Sequence, residues 1–176
     1  KVSRYFSITP SLPVSLTISL LYSCNSRCLT CNIWRKYCEP MSAEEYEKIF
    51  RNIGTGILWG TFSGGEPFLR DDLAEICSSF YSICRPSFIN IPTNGLLYEK
   101  IPPLVEKIAN ICHKSDVIIN VSLDHWQEEH DKIRQVPGNF EKTLKTYRAL
   151  KELALKNLTV GIHTVISGYN VRDFRE

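Results

Sequence analysis

The sequence lacks a charge excess, a long apolar run and an even number of cysteines. Its 21 Lys and Arg residues nearly balance 19 Asp and Glu residues, leaving a formal net charge of +2. We therefore expect no nucleic-acid partner, because a nucleic-acid-binding face needs clustered positive charge. No apolar run reaches the roughly 20 residues that cross a bilayer, so no membrane partner is expected either. Pro10 and Pro13 interrupt the apolar N-terminal stretch, which favours a strand over a signal peptide.

The seven cysteines predict a reducing environment. In a secreted protein an odd count leaves one thiol unpaired, so a cytoplasmic location is the better expectation. With 43% apolar and 23% charged residues, the 176-residue chain can form one domain with a sizeable core. The chain begins at Lys1 and its last residues predict the start of another helix. We therefore interpret residues 1–176 as a core domain that is incomplete at its C-terminal end.

Strand-like apolar segments alternate with amphipathic helical patterns along the chain. Five segments predict strands, at 14–23, 56–64, 87–95, 116–124 and 158–167. Four segments between them show helical periodicity, at 46–53, 73–84, 101–112 and 140–154. Ser42 and Glu45 form the capping-box pattern that would open the first helix. Cys77, Cys84 and Cys112 fall on apolar helical faces, where we expect them to pack as small hydrophobic side chains.

This order predicts an α/β fold with a parallel sheet and right-handed crossovers. An open doubly wound sheet and an incomplete barrel both fit five units, since a full eight-unit barrel needs about 250 residues. In both architectures the active site lies at the carboxyl ends of the strands. Polar or glycine-rich segments follow each predicted strand here: "CNSRCLTC", "SGGEP", "PTNG", "SLDH" and "VISGYN".

Three cysteines follow the first predicted strand with the spacing C-x3-C-x2-C, at Cys24, Cys28 and Cys31. A disulfide with a spare thiol is one interpretation. A structural zinc site is a second, with Cys38 or a histidine as the fourth ligand. Iron–sulfur clusters are also held by closely spaced cysteine thiolates. Three protein ligands on a four-iron cluster would leave one iron open to a substrate or cofactor.

The ends of the later strands supply further candidate residues. Gly64 and Gly65 let the backbone approach a ligand, and Glu66 adds a carboxylate suited to an ammonium group. "TNG" at 93–95 could be a simple turn. Ser122 and Asp124 can hydrogen-bond hydroxyls or an amine, or can be a solvated strand end. His163, within the fifth strand, is expected to pack rather than to reach the site.

Taken in order, these motifs resemble those of the radical S-adenosylmethionine (radical SAM) enzymes. The similarity rests on "CNSRCLTC", "GGEP", "TNG" and "VSLDHWQEEHDKIRQVPGNFEK", and it extends from about Leu16 to Asn170. Two positions depart from the family pattern. Thr30 stands where an aromatic residue usually precedes the last motif cysteine. His125 replaces the glycine that often follows "SLD", which would reshape the ribose or substrate side of the pocket.

The resemblance implies a partial (β/α) barrel that lacks its sixth strand. It implies that the three motif cysteines hold a [4Fe-4S] cluster whose open iron is chelated by S-adenosylmethionine. Gly64, Gly65 and Glu66 would bind the methionine ammonium group. Ser122 and Asp124 would lie near the ribose or the methionine end, Thr93 and Asn94 would face the cofactor, and the fifth strand would flank the adenine. Arg134 would pair with the methionine carboxylate, although a solvated helix arginine is the other interpretation.

The implied function is reductive cleavage of S-adenosylmethionine to a 5′-deoxyadenosyl radical that abstracts hydrogen from a substrate. A reductant such as flavodoxin or ferredoxin would supply the electron. The substrate class would be a peptide or protein, or else a cofactor precursor, with peptide modification ranked first. The alternative is a non-catalytic metal-binding or electron-transfer module that uses Cys24, Cys28 and Cys31 without S-adenosylmethionine. "SGGEP" and "SLD" favour the enzyme, because such a module has no need of an ammonium-binding turn.

Overall fold

The computed structural model describes residues 13–173, which form five strands and five α-helices. The strands β1–β5 are Ser15–Ser19, Trp59–Ser63, Phe88–Thr93, Asp116–Ser122 and Leu158–His163. The helices α1–α5 are Ala43–Ile53, Leu73–Cys84, Ile101–Ile111, Gln127–Arg134 and Asn139–Glu152. All the predicted strands and helices are present, and each of the five strands is shorter than predicted. Helix α4 was not among the four segments with predicted helical periodicity, although one interpretation of Arg134 placed it on a helix. The sequence predicts that another helix starts near the end of the chain, and residues 174–176 of that segment lie outside the described residues.

The sheet decides between the two architectures that the sequence left open. All its strand pairs are parallel, and the strands lie side by side in chain order from β1 to β5. In a doubly wound sheet the order in which strands are added reverses at a switch point, whereas in a barrel each strand is added beside the previous one. The fold is therefore α/β, with the strands forming part of a (β/α) barrel.

The hydrophobic core lies between the sheet and its helices. Alternate residues of β2, β3 and β4 are buried on this side, because successive side chains of a strand point to opposite faces. Phe80 of α2 packs against Phe50 and Phe62 with ring centroids 5.1 and 5.2 Å away. The predicted packing of Cys77, Cys84 and Cys112 is confirmed, since all three are fully buried. None of the helices in the described range has the length and apolar content that a bilayer crossing requires.

The other face of the sheet carries polar side chains. The Trp59 indole N–H donates to the Thr61 hydroxyl at 3.0 Å, and the Asn120 amide donates to the Asn90 carbonyl oxygen at 2.8 Å. These side chains are only partly buried. This face is therefore built for contact with water or a polar molecule rather than for core packing.

Two local devices fix the first helix and the turn after β2. The predicted capping box is confirmed, with Ser42 and Glu45 each bonding the other's backbone N–H. Arg70 donates hydrogen bonds to the carbonyl oxygens of Leu20 and Met41 at 3.1 and 2.8 Å and pairs with Asp72 at 2.6 Å. Arg70 thus ties the end of β1 and the segment before α1 to the turn after β2.

Replacing Phe80 by alanine removes the ring that joins α1, α2 and β2. We expect the free energy of unfolding to fall by about 3–5 kcal/mol, because a buried ring is lost and a cavity remains. Urea denaturation followed by far-UV circular dichroism measures this change. Ser82→Ala, at an exposed position of the same helix, is the control and should change the value by less than about 0.5 kcal/mol. Equal effects of the two variants would contradict this account of the core.

Candidate functional site

A cleft of about 230 Å³ opens at the carboxyl ends of the strands. Ten of the eleven candidate residues from the sequence line it: Cys24, Cys28, Cys31, Gly64, Gly65, Glu66, Thr93, Asn94, Ser122 and Arg134. Asp124 is the exception and contacts the cleft through Arg134. Val165, after β5, also lines the cleft. The structure thus brings together candidate residues that are up to 110 positions apart in the chain, from Cys24 to Arg134, and Val165 lies farther along still.

The cysteine loop, residues 22–32, is joined on one side to the end of β2. The backbone N–H of Gly65 donates to the Leu21 carbonyl at 2.8 Å, and that of Glu66 donates to the Ser23 carbonyl at 3.0 Å. These bonds continue the β1–β2 pairing past the two strands. A Cβ atom on Gly65 would lie 1.9 Å from the Ser23 carbonyl oxygen. Gly64 has a φ of +127°, and its Cβ would lie 2.4 Å from the Leu21 oxygen. Here the glycine pair therefore lets two backbone segments approach closely.

The other side of the cysteine loop rests on the end of helix α4. The backbone N–H groups of Arg27 and Leu29 donate to the Arg134 and Ile133 carbonyls at 3.2 and 2.9 Å. The Ser26 hydroxyl, which is buried, donates to the same Arg134 carbonyl at 2.8 Å and lies 3.2 Å from the Cys28 sulfur. The last carbonyls of a helix lack intrahelical partners, so the loop satisfies groups that would otherwise need water. Sequence reasoning missed Ser26, whose one signal was its place inside the cysteine motif.

All seven cysteines lie within the described residues and are free thiols, which contradicts the disulfide interpretation. Cys24 and Cys28 are half-buried and Cys31 is exposed. Burial raises the pKa of Cys24. Within residues 13–173 no three His, Cys, Asp or Glu side chains are placed to bind a single metal ion. A four-iron cluster takes each thiolate on a different iron, so it requires the sulfurs to be farther apart than the ligands of one ion.

Two side chains point N–H donors at the thiols. The Asn94 amide nitrogen lies 3.7 Å from the Cys24 sulfur, and a terminal Arg134 nitrogen lies 3.7 Å from the Cys28 sulfur. Asn94 also donates to the side-chain oxygen of Asn25 at 2.7 Å, which fixes the start of the cysteine loop. Hydrogen bonds of this kind orient cysteine ligands and tune an iron–sulfur centre.

Glu66 joins the ends of β2 and β3. Its carboxylate accepts hydrogen bonds from the Thr93 hydroxyl and the Asn94 backbone N–H, both at 2.8 Å, and from the Phe68 N–H at 3.3 Å. The residue is 1% exposed. Burial raises the pKa of Glu66 to about 7, while the three donors and the charge of Arg134 act in the opposite direction. The carboxylate therefore holds the end of β3 against the turn after β2. Its predicted role beside an ammonium group stays a prediction.

Arg134 and Asp124 form a buried ion pair. The Arg134 Nε and Asp124 Oδ2 atoms lie 2.7 Å apart, with the two side chains 10% and 1% exposed. The Arg134 N–H group does not point directly at the carboxylate oxygen, so this contact is an ion pair without a well-aligned hydrogen bond. Neither atom has another hydrogen-bond partner among the described residues. The interpretation of Arg134 as a solvated helix arginine is wrong. A buried ion pair holds its members in one place, since separating either charge from its partner is costly.

His130 and Val165 complete the surroundings of Asp124. The Val165 backbone N–H donates to Asp124 Oδ1 at 3.0 Å. The Asp124 backbone N–H donates to His130 Nδ1 at 3.1 Å, so the ring proton lies on Nε2 and faces Asn139 Oδ1 at 3.3 Å. Burial lowers the pKa of His130. Sequence reasoning did not single out His130, which is fully buried and ties α4 to the end of β4.

Three further residues, each considered in the sequence for a role at the site, lie at its edge or outside it. His125 lies in a neighbouring cavity of about 240 Å³, with its Nε2 3.0 Å from Asp173 Oδ2. His163 is exposed and pairs in register with Ser122 at the end of the sheet, so the expectation that it packs is wrong. Cys38 is exposed in the segment before α1.

Comparison with known proteins identifies the family. The family model described as the radical SAM superfamily matches residues 18–176. The chain belongs to the radical SAM superfamily. Members of this superfamily use a [4Fe-4S] cluster and S-adenosylmethionine. The cleft residues fit these groups, because three thiols meet there with two side chains that donate N–H groups to sulfur, Asn94 and the cationic Arg134.

The chain is similar to curated proteins of different function. It is 26% identical over 152 residues to the sporulation killing factor maturation protein SkfB of Bacillus subtilis, covering 83% of this chain and 35% of that protein. It is 33% identical over 150 residues to a probable GTP 3′,8-cyclase of Methanococcus maripaludis, covering 83% of this chain and 48% of that protein. The chain thus spans half or less of the length of these relatives.

A solved structure shows the same fold. The structure described as native anSMEcpe with bound AdoMet and Cp18Cys peptide matches with a TM-score of 0.68 at 20% identity. The match covers 92% of this chain and 45% of that one. At this identity the similarity supports the radical SAM fold and not a shared substrate.

Gly65→Ala tests the close approach of β2 to the cysteine loop. The added Cβ would clash with the Ser23 carbonyl oxygen, so we expect the free energy of unfolding to fall by about 1–3 kcal/mol. Gly168→Ala is the matched control, because a Cβ there meets nothing within 4 Å. Urea denaturation under anaerobic conditions measures both. The proposed contact would be refuted by a Gly65→Ala variant as stable as the control.

Glu66→Gln tests whether burial raises the pKa of Glu66, because a raised pKa makes the free energy of unfolding depend on pH. The folded protein keeps the Glu66 proton up to a pKa of about 7, whereas the unfolded chain releases it near its ordinary value. This group's contribution to the free energy of unfolding therefore declines as pH rises between those values and is lost above them. Gln does not titrate. Its amide N–H would face groups that donate hydrogen bonds to the carboxylate in the wild type, which should lower the free energy of unfolding by about 1–3 kcal/mol.

The stability difference between wild type and Glu66→Gln should accordingly shrink as pH rises from about 5 to about 8. Urea denaturation of both proteins at the two pH values measures it. A difference that stays constant would show that Glu66 has the same pKa in the folded and unfolded states.

Proposed function

We propose that this chain is the core of an enzyme that reductively cleaves S-adenosylmethionine. The proposal depends on one observation: the three motif cysteines, the GGE turn and Arg134 line a single cleft. The alternative of a metal-binding or electron-transfer module does not account for the buried carboxylate and arginine beside the thiols. The domain assignment, in which residues 1–176 form a core domain that is incomplete at its C-terminal end, is part of the same proposal.

Cys24, Cys28 and Cys31 would hold the [4Fe-4S] cluster. When bound, the cluster supplies one electron to S-adenosylmethionine, whose cleavage gives methionine and a 5′-deoxyadenosyl radical that abstracts hydrogen from the substrate. The side chains of Asn94 and Arg134 donate N–H groups towards the coordinating sulfurs of Cys24 and Cys28. Such donors stabilise the more negative, reduced state and so raise the reduction potential.

The remaining cleft residues would position S-adenosylmethionine. The guanidinium of Arg134 is a partner for the methionine carboxylate, and the buried ion pair with Asp124 fixes its position. The carbonyl oxygens of Gly64 and Gly65 would accept from the methionine ammonium group, with the charge of Glu66 behind them. Ser122, which lines the cleft, would bind a ribose hydroxyl, and Thr93 would support the site by holding Glu66. Val165 would lie along the adenine.

The substrate is proposed to be a peptide. The support is the Cp18Cys peptide in the similar anSMEcpe structure, together with the polar sheet face below the cleft, whose amide and hydroxyl groups can pair with peptide backbone. The similarity to a probable GTP 3′,8-cyclase makes a cofactor precursor the second candidate. The electron would come from a protein reductant such as flavodoxin or ferredoxin.

Cys28→Ala tests the metal assignment and the function together. Loss of one of three thiolates should leave the cluster unstable. Iron should fall from about four atoms per chain to below one after anaerobic reconstitution with iron and sulfide. Production of 5′-deoxyadenosine with dithionite and S-adenosylmethionine should fall at least a hundredfold. Iron analysis and chromatography of the products measure the two effects.

Cys38→Ala is the matched control, because it removes an exposed thiol from the same region. It should keep full iron content and activity. If wild type instead binds one zinc ion per chain and forms no 5′-deoxyadenosine, the non-catalytic alternative is correct.

A further inference from the structure

The outer surface of the cysteine loop is positively charged. Between positions 23 and 38 the sequence contains Arg27, Arg35 and Lys36 but no Asp or Glu. All three cations are exposed. Among residues 13–173, no ion pair within 4 Å involves any of them, whereas Lys132 and Arg134 of the adjacent helix α4 are paired with Glu129 and Asp124. The chain as a whole has a net charge of only +2, so this local concentration of charge is distinctive.

Trp34 holds two of these cations in place. The guanidinium carbon of Arg27 lies 4.7 Å from the centre of the indole, and that of Arg35 lies 4.8 Å from it. The indole N–H donates to the Cys31 carbonyl at 3.1 Å, which fixes the ring itself. Cation–π contacts of this kind restrict the arginine side chains before any partner binds. We call Arg27, Trp34, Arg35 and Lys36 the Arg–Trp patch.

The Arg–Trp patch lies directly outside the thiols. A surface depression of about 340 Å³ is lined by residues 27–32 together with Trp34 and Arg35. Cys28, Thr30, Cys31 and Trp34 line both this depression and the inner cleft. The two spaces are therefore separated by little more than the side chains of the cysteine loop. An electron donor that docks on the patch would therefore be separated from the inner cleft only by the cysteine loop.

On the basis of the proposed function, we propose that the Arg–Trp patch docks a small acidic electron-transfer protein. Its negative surface complements the three cations, which speeds encounter and orients the partner. Trp34 and Leu29, which is 45% exposed, line the same depression and would supply apolar contact. In the transfer, the reduced centre of the carrier loses one electron and the cluster gains it. No bond or proton moves.

The charge-reversal pair Arg35→Glu/Lys36→Glu tests this docking surface. Lys114→Glu/Lys156→Glu is the matched control, because it makes the same change in net charge at exposed positions before β4 and β5. These positions lie at the amino ends of the strands, opposite the cleft. All proteins are reconstituted with iron and sulfide and compared at equal iron content.

Reduced flavodoxin is the probe, and its binding is measured by anaerobic calorimetry at low and high salt. For wild type and the control we expect binding that weakens as salt rises, because salt screens exposed charges. For the patch variant we expect a dissociation constant at least about tenfold higher at low salt, with little salt dependence. Formation of 5′-deoxyadenosine should fall in parallel when flavodoxin is the reductant. It should stay within about twofold of wild type with dithionite, which needs no docking.

Other outcomes overturn the inference in distinguishable ways. Unchanged flavodoxin binding by the patch variant would refute the docking surface, and equal weakening in the control would show that only net charge matters. Absence of 5′-deoxyadenosine from wild type with dithionite would refute the proposed function, while the binding data would still report on the patch. If the double variant loses iron, Arg35→Gln removes one cation without reversing it, and unchanged binding by that protein at full iron content would also refute the proposal.

Discussion

Four backbone hydrogen bonds hold the cysteine loop between two fixed elements, and the arrangement of the site depends on them. Two of these bonds come from the Gly65–Glu66 turn and two go to the end of helix α4. Because the bonds use backbone groups, they set the path of the loop without using the thiols. Cys24 and Cys28 then face the cleft from a loop that has little freedom to move. The sequence motifs meet at this loop because each follows a strand of one parallel sheet, and the carboxyl ends of these strands share one edge.

The buried polar groups connect this loop to the rest of the fold. Glu66 joins the ends of β2 and β3, and Asn94 continues the connection to the cysteine loop. Asp124 and Arg134 join the end of β4 to the same loop from the opposite side. Buried charges are retained only where partners compensate them, and here the partners are parts of the site. A substitution in either group should therefore disturb stability and cofactor binding together.

Much of the fold could be predicted from the sequence, because its strands are apolar and its longer helices have clear periodicity. Helix α4 could not, because its eight residues "QEEHDKIR" contain one aliphatic residue, Ile133. It forms because acidic residues begin it, basic residues end it, and His130 and Arg134 are buried by partners that are distant in sequence. The interpretation of Arg134 as a solvated helix arginine was wrong because its contact with Asp124 in the folded chain is not visible in a local sequence pattern.

The sequence likewise predicted most residues of the candidate site but few of the contacts that hold them in place. The motifs identified ten of the residues that line the cleft. They did not reveal that the glycine pair is required by a neighbouring backbone, or that Ser26 and Asn25 fix the loop. Such contacts depend on which loops meet in space, and a local pattern of residue types does not encode them. The exposed position of His163 has the same origin, because it depends on the register of β5 beside β4.

The central claim is that the protein leaves one iron of the cluster free for S-adenosylmethionine. Electron paramagnetic resonance of the reduced, reconstituted protein tests it most directly, because the spectrum responds to the ligands of the iron atoms. The account predicts a [4Fe-4S] signal whose g-values shift when S-adenosylmethionine is added. Adenosine, which lacks the methionine part that would bind the iron, should leave the g-values unchanged. A signal that S-adenosylmethionine leaves unchanged at saturating concentration would contradict it.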